Sequence, residues 1–258
     1  TDCQDYRGAG VASVERFATF TDFGPGGPYT GQMHAVLAAE APEVPVIDLL
    51  SLAPAFAPKP AAYLLAALAE FMPANTAFVG VVDPGVGGDR GVLAVDTQKH
   101  WFVGPDNGLL SLAVRRATGA TVWRVHWRPK QLSSSFHGRD LFAPIAARIA
   151  RDGSPPGQRI DLRAIEGSSW PDDLAQVIFI DHYGNAFTGI RAAGVPRCRA
   201  IRVGTRRLKF ARTFSEVGAG QPFWYENSNG LVELAVNGGN AAQSLGLGVG
   251  EPVRVEVS

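Results

Sequence analysis

The stretch "RFATFTDFGPGGPYTGQMHAVLAAEAPEVPVIDLL", residues 16–50, decides the fold class. It opens with a β-rich apolar run and passes through glycines and prolines into "TGQMHAVLAAEA", before ending in a second apolar run. The apolar residues of the middle segment recur at three- and four-residue spacing, which is typical of a helix packed on a core. A strand, a helix and a second strand in this order predict a βαβ unit with parallel strands.

The same alternation continues to about Asp152, with further strand candidates "TAFVGVVD", "GVLAVDT", "HWFVGP" and "TVWRV" and helical patterns "PAAYLLAALAEFM" and "GLLSLAVRRATG". After a connector rich in glycine, serine and proline, the pattern changes to short strands joined by Gly/Asn turns, with almost no helix. The sequence therefore predicts an α/β fold: a tail (1–15), an α/β domain with a largely parallel sheet (16–152), a linker (153–174) and a smaller, barrel-like antiparallel β domain (175–258).

The charge balance argues against several classes of partner. The chain has 24 Lys and Arg against 24 Asp and Glu, so no net charge attracts nucleic acid or an anionic membrane. The arginine-rich segment 202–212 is more typical of a solvated strand face than of a phosphate site. No apolar run reaches the ~18 residues of a membrane helix. Cys3 and Cys198 are the only cysteines and are predicted to be unpaired thiols, and no apolar signal segment is present, so we expect a cytoplasmic protein.

Three polar residues follow apolar runs at positions where α/β proteins bind ligands, beyond the carboxyl ends of strands. Asp22 ends the first strand candidate, Asp83 ends another within "VVDPGVGGDR", and His137 precedes a helix in "SSFHGRDLFAP". Arg90 follows Asp83 by seven residues. Each has an ordinary structural explanation: a helix cap for Asp22, a simple turn for the Asp-Pro-Gly segment and a helix-start histidine for His137.

The second domain carries two further polar turns. "DHYGN" holds Asp181 and Asn185, and "ENSNGLVE" holds Ser228 and Glu233. Taken alone, each is an unremarkable hairpin turn. The combined occurrence of all these clusters in one order is what favours a functional interpretation.

The combination resembles one family, the S-adenosyl-L-methionine hydrolases that form adenosine, also called S-adenosylmethionine hydroxide adenosyltransferases. These enzymes are related to the fluorinases and chlorinases, which attack the same substrate with halide. The resemblance extends from about Arg16 to the C-terminus and is carried by "FTDFG", "YTGQMHAVL", "VVDPGVG", "GPDNGLLS", "FHGRDLFAP", "DHYGN" and "NSNGLVELAVNGGNAA".

The resemblance implies roles for individual residues. Asp83, Arg90 and His137 would activate water, with His137 as the base, and Asp22 would bind both ribose hydroxyls. The expected contacts of the second domain with the substrate are Asp181, Asn185, Phe214, Ser228, Glu233 and Val236. We expect no cofactor and no metal, and a homotrimer with sites between subunits. In one departure, Gly27 stands where the family usually has an acidic residue near the methionine end.

Three alternatives stay open at this point. A halide-using enzyme of the same superfamily would need no base. A nucleoside-binding protein without catalysis would keep Asp22 and Asn185 but would need no aligned Asp/Arg/His set. A metal-dependent hydrolase could use Asp22, Asp83 and His137 as ligands.

Overall fold

The computed structural model of the chain describes residues 13–256, and Cys3 lies outside them. These residues divide into two units: the first contains the described residues up to Phe56 together with Met72–Ser168, and the second contains Ala57–Phe71 together with the described residues from Ser169 onward. The described α-helices are α1 (Tyr29–Glu40), α2 (Pro58–Glu70), α3 (Ser111–Arg116), α4 (Ala143–Asp152) and α5 (Ala241–Leu245).

The first unit is built on a seven-stranded sheet. Its strands are β1 (Arg16–Thr21), β2 (Val46–Leu50), β3 (Thr76–Val81), β4 (Val92–Asp96), β5 (His100–Pro105), β6 (Thr121–Val125) and β7 (Gly157–Ile160). The order across the sheet is β2-β1-β3-β5-β4-β6-β7. The first four strands in that order pair in parallel, and the remaining pairings are antiparallel. The βαβ unit predicted from residues 16–50 is therefore present, and it builds the parallel half of the sheet.

Helices α1 and α4 pack together over the parallel strands. Leu37 of α1 and Ile145 of α4 are fully buried, in one apolar cluster with Phe17, Val79 and Val103 of the sheet. This burial explains the three- and four-residue apolar spacing of α1, because one face of the helix must contact the sheet. The parallel strands therefore present their carboxyl ends, including that of β3, beside the N-terminal end of α1.

The second unit contains another seven-stranded sheet. Its strands are β8 (Leu174–Ile180), β9 (Ala186–Arg191), β10 (Ile201–Val203), β11 (Arg206–Phe210), β12 (Pro222–Glu226), β13 (Leu231–Val236) and β14 (Val253–Val255). The order is β14-β10-β11-β12-β13-β9-β8, antiparallel except for the β11–β12 pair. The two outer strands approach each other, since the N–H of Val177 donates to the carbonyl of Glu251 at 2.8 Å. The sheet is thus nearly closed, and the predicted fold class is confirmed.

Two segments differ from the organisation expected from the sequence. Helix α2 belongs to the second unit, where it packs on β8 and the Tyr63 hydroxyl donates to the carbonyl of Pro171 at 2.5 Å. The segment interpreted as a linker contains β7, which pairs antiparallel with β6. Its sequence, "GQRI", is too short and too polar to show the alternation of a strand.

The surface features also have local explanations. In the arginine-rich segment, Arg202 and Arg207 both donate to Glu256, and Arg212 donates to Glu216. Cys198 is a free, exposed thiol. Within residues 13–256, no helix combines the length and apolar character needed to cross a membrane.

Candidate active site

The loop after β3 is shaped by two consecutive tight turns. The N–H of Val86 donates to the carbonyl of Asp83 at 3.2 Å, and the N–H of Gly88 donates to that of Gly85 at 3.0 Å. Gly87 has φ +79°, and a Cβ at this position would lie 2.4 Å from the carbonyl oxygen of Ser134. Only glycine therefore lets this loop approach the loop that carries His137.

Arg90 joins the two loops. Its Nε lies 3.1 and 3.0 Å from the two carboxylate oxygens of Asp83, and its Nη2 also donates to that carboxylate. The same Nη2 lies 2.7 Å from Nδ1 of His137, and the guanidinium carbon lies 5.1 Å from the ring centroid of buried Phe142. The side chains of Arg90 and Asp83 are only 11% and 3% exposed. Arg90 thus contacts both of the residues that are predicted to act with it.

The contact with Arg90 fixes the protonation of His137. A guanidinium N–H can only donate, so Nδ1 must accept and the ring proton of neutral His137 is on Nε2. Burial, and then the cation of Arg90, lower the pKa of His137 below its ordinary value. This differs from the base expected from the sequence, because the nitrogen that remains free carries a hydrogen and can donate but not accept.

Asp22 follows β1 directly, beside the end of β3, because Thr21 pairs with Val81 in the parallel register. Its Oδ2 accepts from the backbone N–H of Phe56 at 2.9 Å. Burial raises the pKa of Asp22, and that hydrogen bond opposes the shift. Phe56 holds this position with φ +57°, a conformation that is unusual for an aromatic residue. The strained backbone thus orients the Asp22 carboxylate.

The first unit contains a cavity of about 350 Å³ at these strand ends. Its lining includes Asp22, Asp83 and His137, while Arg90 lies behind the last two. The remaining lining residues are Phe23, Tyr29, Phe56, Val81, Val86, Ser135, Phe136 and Gly138. The cavity therefore combines two carboxylates and an imidazole with a set of aromatic rings.

Asn107, in the motif "GPDNGLLS", links the loops after β3 and β5. Its Nδ2 donates to the carbonyl of Val82 at 2.9 Å, and its Oδ1 accepts from the N–H of Leu109 at 3.2 Å. Asn107 therefore ties the loop after β5 to the residue that precedes Asp83. Its role is to support the Asp83 loop.

In the second unit, the "DHYGN" turn between β8 and β9 is held by Asp181. Its carboxylate accepts from the backbone N–H of Asn185 at 2.8 Å and from Nδ2 of Asn185 at 3.2 Å. Because the amide nitrogen of Asn185 is used in this way, its Oδ1 remains as an acceptor. Gly184 has φ +85°, and a Cβ there would overlap the side chain of Asn240. The glycine thus lets the turn pack against the start of α5.

The second unit has its own cavity, of about 660 Å³. Of the predicted residues, Asp181, Asn185, Phe214 and Val236 line it. The other lining residues are Tyr183, Tyr225, Gly238, Gly239 and Asn240. The ring centroids of Phe214 and Tyr225 are 5.5 Å apart, and the interplanar angle is 65°. This wall suits a flat aromatic ligand with polar edge groups.

Two of the predicted substrate contacts, Ser228 and Glu233, do not line that cavity. Ser228 is exposed on the turn between β12 and β13. Glu233 is 2% exposed, accepts from the Tyr225 hydroxyl and accepts from Nδ2 of Asn227 at 2.9 Å. Burial raises the pKa of Glu233, and burial followed by the Glu233 carboxylate raises that of Tyr225. Glu233 thus lies behind the cavity wall and holds Tyr225 in place.

Several lining residues were not identified from the sequence. Tyr183 lies inside "DHYGN", two residues after Asp181, and this position in the motif was a usable signal. Phe56 carries no such signal, because a single aromatic residue in apolar surroundings normally indicates core. Tyr225 ends the aromatic run "FWY", which is equally typical of a buried strand.

A metal site at Asp22, Asp83 and His137 does not suit this geometry. The guanidinium of Arg90 contacts both Asp83 and His137, and its charge would repel a divalent cation placed between them. No group of three His, Cys, Asp or Glu side chains within the described ranges is arranged to hold a metal ion.

Comparison with protein families gives two matches along the chain. Residues 17–158 match the family model described as the SAM hydroxide adenosyltransferase N-terminal domain. Residues 175–254 match that of the SAM hydroxide adenosyltransferase C-terminal domain. The two matches together contain the residues that line both cavities.

Similar proteins and solved structures agree with these matches. A protein of Thermus thermophilus named (R)-S-adenosyl-L-methionine hydrolase is 38% identical, over 91% of this chain and 97% of the relative. A protein of the same name from Salinispora arenicola is 36% identical, over 95% of this chain and 99% of the relative. A conserved protein of Thermotoga maritima with a solved structure shares 28% identity, with a TM-score of 0.82 over 93% of this chain and 99% of that chain.

Proposed function

The chain belongs to the SAM hydroxide adenosyltransferase family, and we propose that it hydrolyses S-adenosyl-L-methionine to adenosine and L-methionine. The observation that carries this proposal is the contact of Arg90 with both Asp83 and His137 at the wall of a cavity lined by Asp22. A binding protein without catalysis would not need this buried polar set.

The chemistry needs an oriented water molecule more than a strong acid. The oxygen of water attacks the 5′ carbon, the bond from that carbon to sulfur breaks, and its electron pair neutralises the sulfonium. Methionine then leaves as a neutral thioether and needs no proton. The attacking oxygen becomes positive as the new bond forms, so it must lose a proton to an acceptor. This reaction requires no metal and no cofactor.

We assign the proton acceptor to the Asp83 carboxylate, which lines the cavity. His137 orients the water by donating from Nε2 to its oxygen, since Nδ1 accepts from Arg90. Arg90 acts through the other two residues: it fixes the carboxylate with its Nε and holds the imidazole in one tautomer. Exclusion of bulk water by the bound substrate would favour the step, because charge separation decreases toward products.

Each unit carries groups that suit the binding of a nucleoside. The ionised Asp22 accepts from the two ribose hydroxyls, which fixes the 5′ carbon relative to Asp83. Oδ1 of Asn185 accepts from the exocyclic amine of adenine, and the rings of Phe214 and Tyr225 contact the base. Asp181 positions Asn185, and Glu233 positions Tyr225.

The relatives named above are hydrolases of the (R) form, and we propose the same preference for this chain. The sulfonium sulfur is a stereocentre, so the (R) and (S) forms point their methyl groups in different directions from the same adenosine. A site that fixes the ribose and the attacking water can therefore distinguish them by the space left for the methyl group.

The direct test is incubation with both sulfonium epimers in oxygen-18 water, with separation of the remaining epimers and mass analysis of the nucleoside. We expect adenosine with one solvent oxygen at the 5′ position and faster loss of the (R) form. Formation of 5′-halo-adenosine in halide buffer, with little adenosine, would show a halide-using enzyme instead. Equal loss of both epimers would refute the stereochemical preference alone.

We further propose a homotrimer in which each substrate lies between the first unit of one subunit and the second unit of the next. Two observations support this: each unit carries only part of the required groups, and each has an open cavity of its own. Head-to-tail contacts of this kind close into a ring when the rotation fits.

Subunit mixing tests the assembly. His137→Ala disables the first cavity, and the combined changes Asn185→Ala and Phe214→Ala disable the second. The two variants are unfolded together, reassembled in equal amounts and assayed at a substrate concentration that only wild-type sites bind. About one site in four then combines two intact halves in a heterologous ring, so about that fraction of wild-type activity should return. If mixed oligomers form but remain as inactive as their parents, each site belongs to one chain.

A cytoplasmic location completes the proposal. Cys198 is exposed and free, which suits a compartment that keeps thiols reduced. Cell fractionation with an antibody to the protein measures it directly.

A further inference from the structure

Three aromatic side chains pack together on one side of the first cavity. The ring centroids of Phe23 and Tyr29 are 5.5 Å apart, those of Phe23 and Phe136 are 5.8 Å apart, and those of Tyr29 and Phe136 are 5.1 Å apart. All three residues line the cavity that also contains Asp83 and His137. We call this set the aromatic wall.

The rings of the aromatic wall differ in how free they are. Phe136 is 8% exposed and already has the Arg139 guanidinium carbon 5.0 Å from its centroid. Tyr29, the first residue of α1, is 46% exposed although it lines a cavity. At neighbouring Gly27, a Cβ would lie 3.6 Å from Cδ2 of Tyr29, so the absence of a side chain leaves this ring uncovered on that side. Tyr29 therefore offers the most accessible ring surface.

The charges around the cavity favour a cationic ligand. Arg90 neutralises Asp83, and Arg139 pairs with Asp140. Asp22 accepts only a backbone N–H in the described part of the chain and has no cationic partner there. One carboxylate is therefore left to balance a positive charge on a bound molecule.

We propose that the aromatic wall recognises the sulfonium cation and so distinguishes the charged substrate from neutral thioethers. This inference rests on the proposed function, which brings a sulfonium next to Asp83 and His137. A cation within about 6 Å of an aromatic ring is attracted by the negative face of that ring. The attraction disappears when the sulfur becomes neutral, so the wall favours binding of the substrate over retention of methionine.

Two unreactive ligands separate charge from shape. Sinefungin carries an ammonium group where the substrate has its sulfonium methyl group, and S-adenosylhomocysteine has a neutral sulfur there. Inhibition constants for both are measured with wild type, Tyr29→Leu, Phe23→Leu and Tyr29→Phe. We expect Tyr29→Leu to weaken sinefungin by about 3- to 30-fold and S-adenosylhomocysteine by much less, because only the cation loses a ring. Tyr29→Phe should keep wild-type selectivity.

Phe56→Leu is the matched control, because Phe56 also lines the cavity but is 77% exposed and is not among the three packed rings. It should change the two inhibition constants by similar factors. Equal weakening of both ligands in Tyr29→Leu and Phe23→Leu, or a selective loss in Phe56→Leu, would overturn the proposal. Absence of adenosine formation by the wild type would instead refute the proposed function, and dissociation constants of the two ligands, measured by titration calorimetry, would still decide whether the wall distinguishes charge.

Discussion

The two cavities are built on different principles. In the first unit, the reactive groups come from loops far apart in the sequence and are held by charge, as in the contact between Arg90 and His137, 47 residues apart. In the second unit, Asp181 and Asn185 are four residues apart within one turn, and the remaining wall consists of packed rings and glycines. A preorganised charged set is what a reaction needs, whereas a rigid aromatic wall is what base recognition needs.

This difference predicts that substitutions of the reactive groups in the first cavity and of the base contacts in the second affect different kinetic constants. Groups that act mainly in the transition state lower kcat, while groups that bind substrate and transition state equally raise KM.

Asp83→Asn should have the largest effect. The substitution keeps the shape of the side chain but removes both the proton acceptor and the negative charge opposite Arg90, so kcat should fall by about 100- to 10,000-fold. Steady-state kinetics measure this loss. Asp89→Asn makes the same exchange at an exposed position of the same loop and should retain activity. If both variants are equally active, the reaction does not use Asp83.

Asn185→Ala should act mainly on binding. Loss of one hydrogen bond to the base should raise KM by about 3- to 30-fold while kcat changes little. Asp22→Ala removes an ionised acceptor from the ribose and should raise KM further, although Asp22 lies in the first cavity. Gln243→Ala, an exposed amide on α5, serves as the control. A large fall in kcat with unchanged KM for Asn185→Ala would contradict the division between the cavities.

Two carboxylates of the first cavity, Asp22 and Asp83, could be predicted because they follow strand ends. The alternation of strands and helices placed Asp22 and Asp83 each after a strand, and the structure shows that these strands, β1 and β3, are parallel neighbours whose carboxyl ends meet at one edge of the sheet. The contact of Arg90 with His137 could not be obtained in this way. It depends on the approach of two loops, which Gly87 permits, and on a tautomer that only the hydrogen-bond partner determines.

The second unit was less predictable for a physical reason. Hairpin turns have common sequences, so "DHYGN" alone did not separate a site from a turn. The burial of Glu233 behind Tyr225 depends on their direct pairing across β12 and β13, a register that the sequence does not show. Helix α2 was predicted from its sequence pattern, but its packing on β8 depends on contacts between residues distant along the chain.

The activity should depend on the protonation of His137. Burial and the Arg90 cation lower the pKa of His137 below its ordinary value of 6.5, so the ring is neutral at neutral pH. Protonation at lower pH removes the acceptor at Nδ1 and places two cations together, so kcat/KM should fall as the pH drops through a midpoint below 6.5. A pH profile of kcat/KM measures this. In His137→Gln, the remaining activity should lack that acidic decline, and a wild-type midpoint above 6.5 would contradict the assignment.

The smallest effect concerns the stability of the second unit. Burial raises the pKa of Glu233 above 4.5, so between 4.5 and that raised value the folded protein keeps a proton that the unfolded chain has lost. The resulting stabilisation is complete below 4.5 and disappears as the pH rises through the raised pKa. Thermal unfolding of the wild type and of Glu233→Gln measures this across the same pH range. The Tm of the wild type should fall as the pH rises, by about 2–4 °C for each kcal/mol of stability lost, and the Tm of the variant should change less. Glu226→Gln, an exposed carboxylate on the same hairpin, should retain the wild-type slope. Parallel curves for wild type and Glu233→Gln would mean that Glu233 stays ionised behind Tyr225 throughout.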